Sequence, residues 1–109
     1  MDLFGDALRG HTDAIILSIL DEGDSYGYQI NQTISKRTKE RFVLTEATLY
    51  TAFKRLESAH YIESYWMDTN LPVKRKYYSI TDMGRAYLQE KMDSFIETTE
   101  ILETFLKKK

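Results

Sequence analysis

Cysteine is absent from the 109 residues, and histidine occurs only as His11 and His60. No disulfide framework, thiolate nucleophile or usual zinc constellation can be assembled from that stock. A reducing cytoplasm is the compartment such a chain suits, and no cofactor is expected. Long apolar runs are missing as well. The longest, "AIIL" at 14–17, falls far short of the roughly 18 residues of a membrane span, and the acidic N-terminus lacks a signal peptide's basic region. The chain therefore reads as soluble and unprocessed. Its five glycines are scattered as caps and turns rather than gathered into a phosphate-cradling loop, and no nucleophile motif or metal-ligand spacing is present. An enzyme is not expected. "NQT" at 31–33 matches the glycosylation pattern, but it falls inside a helical repeat and is read as chance.

What is there suffices for one modest core: 42% of residues are hydrophobic and 13% aromatic. The formal charge of -2 hides an asymmetry. Residues 1–24 carry one cation and six anions, residues 25–81 nine and five, and residues 82–109 five and six. A basic middle suits a segment that meets a polyanion.

"HTDAIILSILDEG" reads as a first helix, with Thr12 or Asp13 as N-cap and a stop at Gly23 in the left-handed position. It is apolar nearly all round, which calls for a second surface covering it. A second helix is predicted from about Tyr26 to Arg37, with Ile30 and Ile34 inward and Asp24 or Ser25 as cap. Phe42, Val43 and Leu44 suit a very short strand. Thr45 then caps a third helix running to about Ala59. Leu49, Ala52, Phe53, Leu56 and His60 share its inner face, with His60 a satisfied core residue. Ala47, Thr48, Thr51, Lys54, Arg55 and Ser58 share the outer face, which no acid interrupts.

"YIESYWM" and "VKRKYYSI" alternate partially with period two and are separated by "DTNLP", predicting an antiparallel hairpin with a loop of about five residues. Three helices and a hairpin form the order of a winged helix-turn-helix, a mainly α fold with a small β-hairpin (α+β). Residues 1–81 would be that DNA-binding domain and residues 82–109 a C-terminal dimerisation helix. On this fold the clustered cations Lys74, Arg75 and Lys76 begin the wing's second strand and face phosphates. As an alternative, they defend an edge strand against aggregation.

"ILSILDEGDSYGYQI", "LTEATLYTAFKRLESAHYIES" and "KRKYYSITDMGRAYL" resemble, in order and separation, three signature blocks of PadR-type transcriptional regulators. The resemblance spans about residues 12–90. The short C-terminal part is similar to the subgroup with a single dimerising helix, which includes multidrug-sensing repressors of lactic acid bacteria. It implies a homodimeric repressor on a palindromic operator near its own gene or a transporter gene, often released by a small aromatic molecule. The wing loop departs from the family in lacking glycine, and Phe95 stands where the multidrug members present tryptophan.

By position and chemistry, Thr48 and Thr51 are expected at base edges of double-stranded DNA, while Lys54, Arg55, Lys74, Arg75 and Lys76 neutralise phosphates. Tyr50 and one of Tyr26 or Tyr28 would offer hydroxyls to the backbone. One of Tyr77 or Tyr78 belongs to the core. The tail at 107–109 simply complements a helix C-terminus. The rival reading is a winged helix used as a protein-docking module, with the basic face on an acidic partner.

From Leu88 the positions Leu88, Met92, Phe95, Thr99, Leu102 and Leu106 step by 4, 3, 4, 3 and 4, and Ile96, Ile101 and Phe105 widen the stripe. A helix of about 40 Å outruns the small domain before it. A homodimer is expected, with this helix packed on its twin and on the partner's first helix. An effector site would lie at the dimer axis, built from Phe95, Ala14, Leu17, Ser18 and Thr99, with Asp21 at its edge favouring a cation.

Overall fold

The computed structural model describes residues 8–70 and 72–107. Asp2, Gly5, Asp6, Leu71, Lys108 and Lys109, all included in the readings above, lie outside the described residues. A short 3-10 turn at Arg9–His11 leads into α1 (Thr12–Glu22), followed by α2 (Gly27–Arg37), α3 (Glu46–Ser58), β1 (Ile62–Met67), β2 (Arg75–Ile80) and α4 (Asp82–Leu106). Among these residues no helix is long and apolar enough to cross a membrane.

α1 is the centre of the core. Ile16, Leu17, Ile19 and Leu20 are all buried, and Ala14 and Ile15 are packed against the cluster. The second surface that its apolar girth requires is supplied largely within the chain. α4 lies along it, and Leu88, expected at a dimer seam, is only 5% exposed. Neither Thr12 nor Asp13 is its cap: the 3-10 turn runs straight in, leaving His11 at φ -114°, ψ 2°, outside the extended region from which a cap side chain reaches back. Gly23 does end the helix, but at φ 157°, ψ 154° rather than in the left-handed region.

α2 starts after Tyr26, which caps it without a side-chain bond, so neither Asp24 nor Ser25 plays that part. The Ser25 hydroxyl donates instead to Gln29 Oε1 at 2.7 Å, and Asp24 accepts from the Tyr65 hydroxyl at 2.7 Å. That carboxylate holds the Tyr65 hydroxyl above its usual pKa. At the far end, Lys39 and Glu40 turn left-handed (φ 53° and 65°), and their amides bond Lys36 O and Ser35 O. Both bonds are those of a Schellman closure.

No strand forms at residues 42–44. Asn31 takes the place a partner strand would fill: its amide nitrogen donates to Leu44 O at 2.7 Å and its oxygen accepts from Leu44 N–H at 2.9 Å. This fork fixes the approach to α3. Thr45 then caps that helix by accepting from Thr48 N–H at 3.1 Å. Leu49, Ala52, Phe53 and Leu56 face inward as expected. His60 does not. It lies past the helix end, exposed, at φ 63°, where its own amide and that of Tyr61 close the last turn on Glu57 O and Leu56 O. The helical wheel fails there because the helix has already stopped.

β1 and β2 pair antiparallel with Tyr65 opposite Tyr77 and Trp66 opposite Lys76. The connection covers residues 68–74, longer than expected, so Lys74 precedes the strand rather than lying in it. Ser25 exchanges two backbone bonds with Tyr78, at 3.2 and 2.8 Å, which ties the root of the hairpin to the start of α2. Tyr78 is the core tyrosine. It stacks on Phe53 at 4.0 Å, and burial pushes its hydroxyl up to about 12.

α4 begins at a crowded root. The Thr81 hydroxyl accepts from Gly84 N–H at 3.0 Å and donates to His60 O at 2.6 Å, while Thr81 N–H reaches Tyr61 O at 3.0 Å. Gly84 is needed for this approach: a Cβ there would stand 2.1 Å from the Tyr61 carbonyl oxygen.

Candidate nucleic-acid interface

Three surfaces converge on one side of the molecule. The first is the outer face of α3, where Thr48, Thr51, Lys54 and Arg55 are all exposed. Thr48 Oγ1 accepts from the capping Thr45 hydroxyl at 2.9 Å. With the 3-10 turn and the start of α1, this face borders an open groove of about 500 Å3.

The second surface is the wing, where the clustered cations meet rings and one acid. The Arg75 guanidinium lies 4.4 Å from the centroid of Tyr26, and Lys76 Nζ sits 5.9 Å from Trp66 and 5.7 Å from Tyr78. Lys74 stands 3.9 Å from Asp68. A guanidinium laid over a ring keeps its edge N–H groups free for an anion, so stacking orients Arg75 without consuming it.

The third is the junction between them. Gly27 lets the start of α2 approach α3, since a Cβ there would meet the Tyr50 hydroxyl at 3.3 Å and Leu49 Cδ2 at 3.4 Å. This explains the glycine between the two tyrosines. Tyr28 is 68% and Tyr50 51% exposed, whereas Tyr26 is half-buried between Tyr77, at 5.1 Å, and Arg75. Tyr28, Tyr50, Trp66 and the three wing cations surround a cradle of about 380 Å3. Trp66 is the member sequence reasoning missed. Tryptophan usually signals core, but its place opposite Lys76 in a strand of falling burial puts it 63% exposed.

One expectation about this face needs correcting. No acid interrupts the outer stripe along α3 itself, but one arrives from another helix. Asp13 Oδ2 accepts from Arg55 Nε at 3.0 Å and Asp13 Oδ1 from Arg55 Nη2 at 2.5 Å. That bond holds the Arg55 guanidinium above its ordinary value, against a smaller opposing effect of burial.

The expected effector residues separate. Ala14, Ser18 and Phe95 line an apolar cleft of about 690 Å3 between α1 and α4, together with Ile15, Met92 and Lys91. Leu17 is fully buried and turned into the core. Asp21 is paired with Arg85 at 3.2 Å and does not line the cleft, nor does Thr99. His11 and Lys91 are the titratable residues of the lining, and Lys91 Nζ stands 5.3 Å from the centre of the Tyr87 ring. Phe95 and Ile96 at the cleft, and Ile101, Leu102, Phe105 and Leu106 beyond it, all stand exposed, Leu106 at 73%.

The family model for the PadR-like transcriptional regulators matches residues 16–90, more than half of the chain. The chain belongs to the PadR-like family. An uncharacterized protein of Lysinibacillus sphaericus is 48% identical over 101 residues, 93% of each chain. A solved transcriptional regulator from Clostridium thermocellum is 44% identical at a TM-score of 0.86, covering 93% of this chain and 98% of its own. PadR of Bacillus subtilis, solved with operator DNA, is 21% identical with a TM-score of 0.67 over 73% of this chain and 45% of its own, a likeness of fold. The PadR winged-helix architecture is thus shared, and the family's members are regulators of transcription rather than enzymes.

Proposed function

We propose that this PadR-like protein is a cytoplasmic, sequence-specific DNA-binding repressor that acts as a homodimer on a palindromic operator. The observation that carries the reading is the continuity of the exposed face of α3 with the aromatic and cationic cradle of the wing. A rod of that width fits a major groove, and the wing beside it meets the flanking backbone. Thr48 and Thr51 are placed for base edges; Lys54, Lys74, Arg75 and Lys76 for phosphates, with Tyr28 and Tyr50 hydroxyls beside them. The DNA complex of the Bacillus subtilis protein of the same fold is consistent with this use.

The test is binding to duplexes in rising salt. Lys74→Ala or Arg75→Ala should weaken every duplex similarly and lower the salt slope by about one unit, whereas changes at Thr51 should alter sequence preference. An unchanged slope would remove the wing from the interface. Absence of any preferred duplex would favour docking to an acidic protein instead.

The second copy covers the apolar half of α4 from Met92 to Leu106. The cleft between α1 and α4 takes a flat hydrophobic effector, neutral or anionic because Lys91 lines it, and shifts operator affinity by favouring one spacing of the two α3 helices. A planar aromatic carboxylate titrated by fluorescence should bind wild type about tenfold tighter than Phe95→Ala, the scale of a lost stacking contact. Equal binding by both, or none by either, would remove the effector from the mechanism.

A further inference from the structure

The first turn of α1 places a carboxylate on the face that reads DNA. Asp13 holds Arg55 through both of its oxygens, at 3.0 and 2.5 Å, and its side chain is 21% exposed against 53% for Arg55. The two residues lie 42 positions apart, so the pairing is tertiary. A guanidinium fork engaged by two carboxylate oxygens has the geometry it would use on a phosphate. We propose that Asp13 is a specificity-determining residue: it stands in for a phosphate at Arg55 and removes one cation's worth of backbone attraction from the recognition face.

The physical argument concerns what is subtracted. Backbone contacts favour all duplexes alike and carry no sequence information, while Thr48 and Thr51 border the same groove as Asp13 and keep their access to bases. Lowering the common attraction leaves base reading intact and widens the ratio of operator to bulk DNA. The carboxylate stays at this surface even if Arg55 lets go, so its repulsion of phosphate does not depend on the pair surviving in the complex. Asp13 also lies in the first turn of α1, where an acid complements the helix dipole. That structural role predicts only stability, not a salt slope.

This inference rests on the DNA-binding reading, and one experiment separates them. Anisotropy of a labelled random-sequence duplex is followed in increasing potassium chloride with wild type, Asp13→Asn and the double variant Asp13→Asn/Arg55→Ala. Asp13→Asn should bind about fivefold tighter at low salt, the worth of one solvent-screened charge contact. Its salt slope should steepen by about 0.9, and the double variant should return to the wild-type slope. An unchanged slope, or weaker binding, in Asp13→Asn would overturn the proposal, leaving Asp13 a helix anchor. A double variant flatter than wild type by about one unit would also overturn it, because Arg55 would then already reach phosphate. Wild type that binds no duplex at all would sink the DNA-binding reading and this inference with it.

Discussion

Gly84→Ala is expected to be among the most damaging single substitutions in the chain, lowering unfolding free energy by about 3–5 kcal/mol, a large part of the 5–15 kcal/mol a domain commands. The added Cβ would lie 2.1 Å from Tyr61 O, 3.0 Å from Tyr61 C and 2.8 Å from Ile80 Cγ1. Two of those atoms are backbone and cannot swing aside. To relieve the clash, α4 must lift, which breaks the Thr81 cap and separates the Tyr61 and Tyr87 rings now stacked at 4.4 Å. Urea denaturation reads the effect. Gly10→Ala is the control, with nothing within 4 Å of its added Cβ, and should stay within about 0.5 kcal/mol of wild type. A wild-type midpoint for Gly84→Ala would mean that the root of α4 is looser than its geometry.

Leu102→Glu/Leu106→Glu should abolish dimerisation and reduce operator affinity by at least about a hundredfold. Both side chains are exposed in the single chain, at 49% and 73%, so the fold has little stake in them. Within a dimer seam the same positions would bury two carboxylates per copy, each costing several kcal/mol when unpaired. Losing the second DNA-reading domain forfeits the effective-concentration advantage of two linked half-site contacts, worth about 10² to 10⁴ in affinity. Sedimentation at micromolar concentration should give a dimer for wild type and a monomer with unchanged far-ultraviolet dichroism for the variant. A monomeric wild type, or a variant that still sediments as a dimer, would refute the assembly.

Periodicity and capping chemistry made the elements legible. Thr45 before an inward stripe of Leu49, Ala52, Phe53 and Leu56 locates α3, and alternating aromatics locate the hairpin. What eluded sequence reasoning is what passes between elements. A wheel drawn for α3 cannot register Asp13, which arrives from another helix. Judged against a small domain, Leu88 reads as a dimer residue and Leu17 as an effector-site residue, whereas α1 and α4 hide both against the core of their own chain. His60 and residues 42–44 failed for a local reason: a left-handed residue and an asparagine fork override the pattern around them. The candidate DNA face is mostly contiguous in sequence, at 48–55 and 74–76, so a linear reading groups its residues without knowing what packs beside them.

The knot of bonds at Thr81 makes α4 a lever. Its 25 residues extend about 37 Å from a fulcrum clamped to the C-terminal end of α3 and the foot of the wing. A tilt of about 5° at that fulcrum carries the far end through about 3 Å, and the converse holds when the far end is gripped. In the homodimer proposed above, small changes in the angle at which two such levers cross would be delivered to the two α3 helices as changes in reach. In that dimer the stiffness of this joint would set how tightly the distance between two operator half-sites is measured.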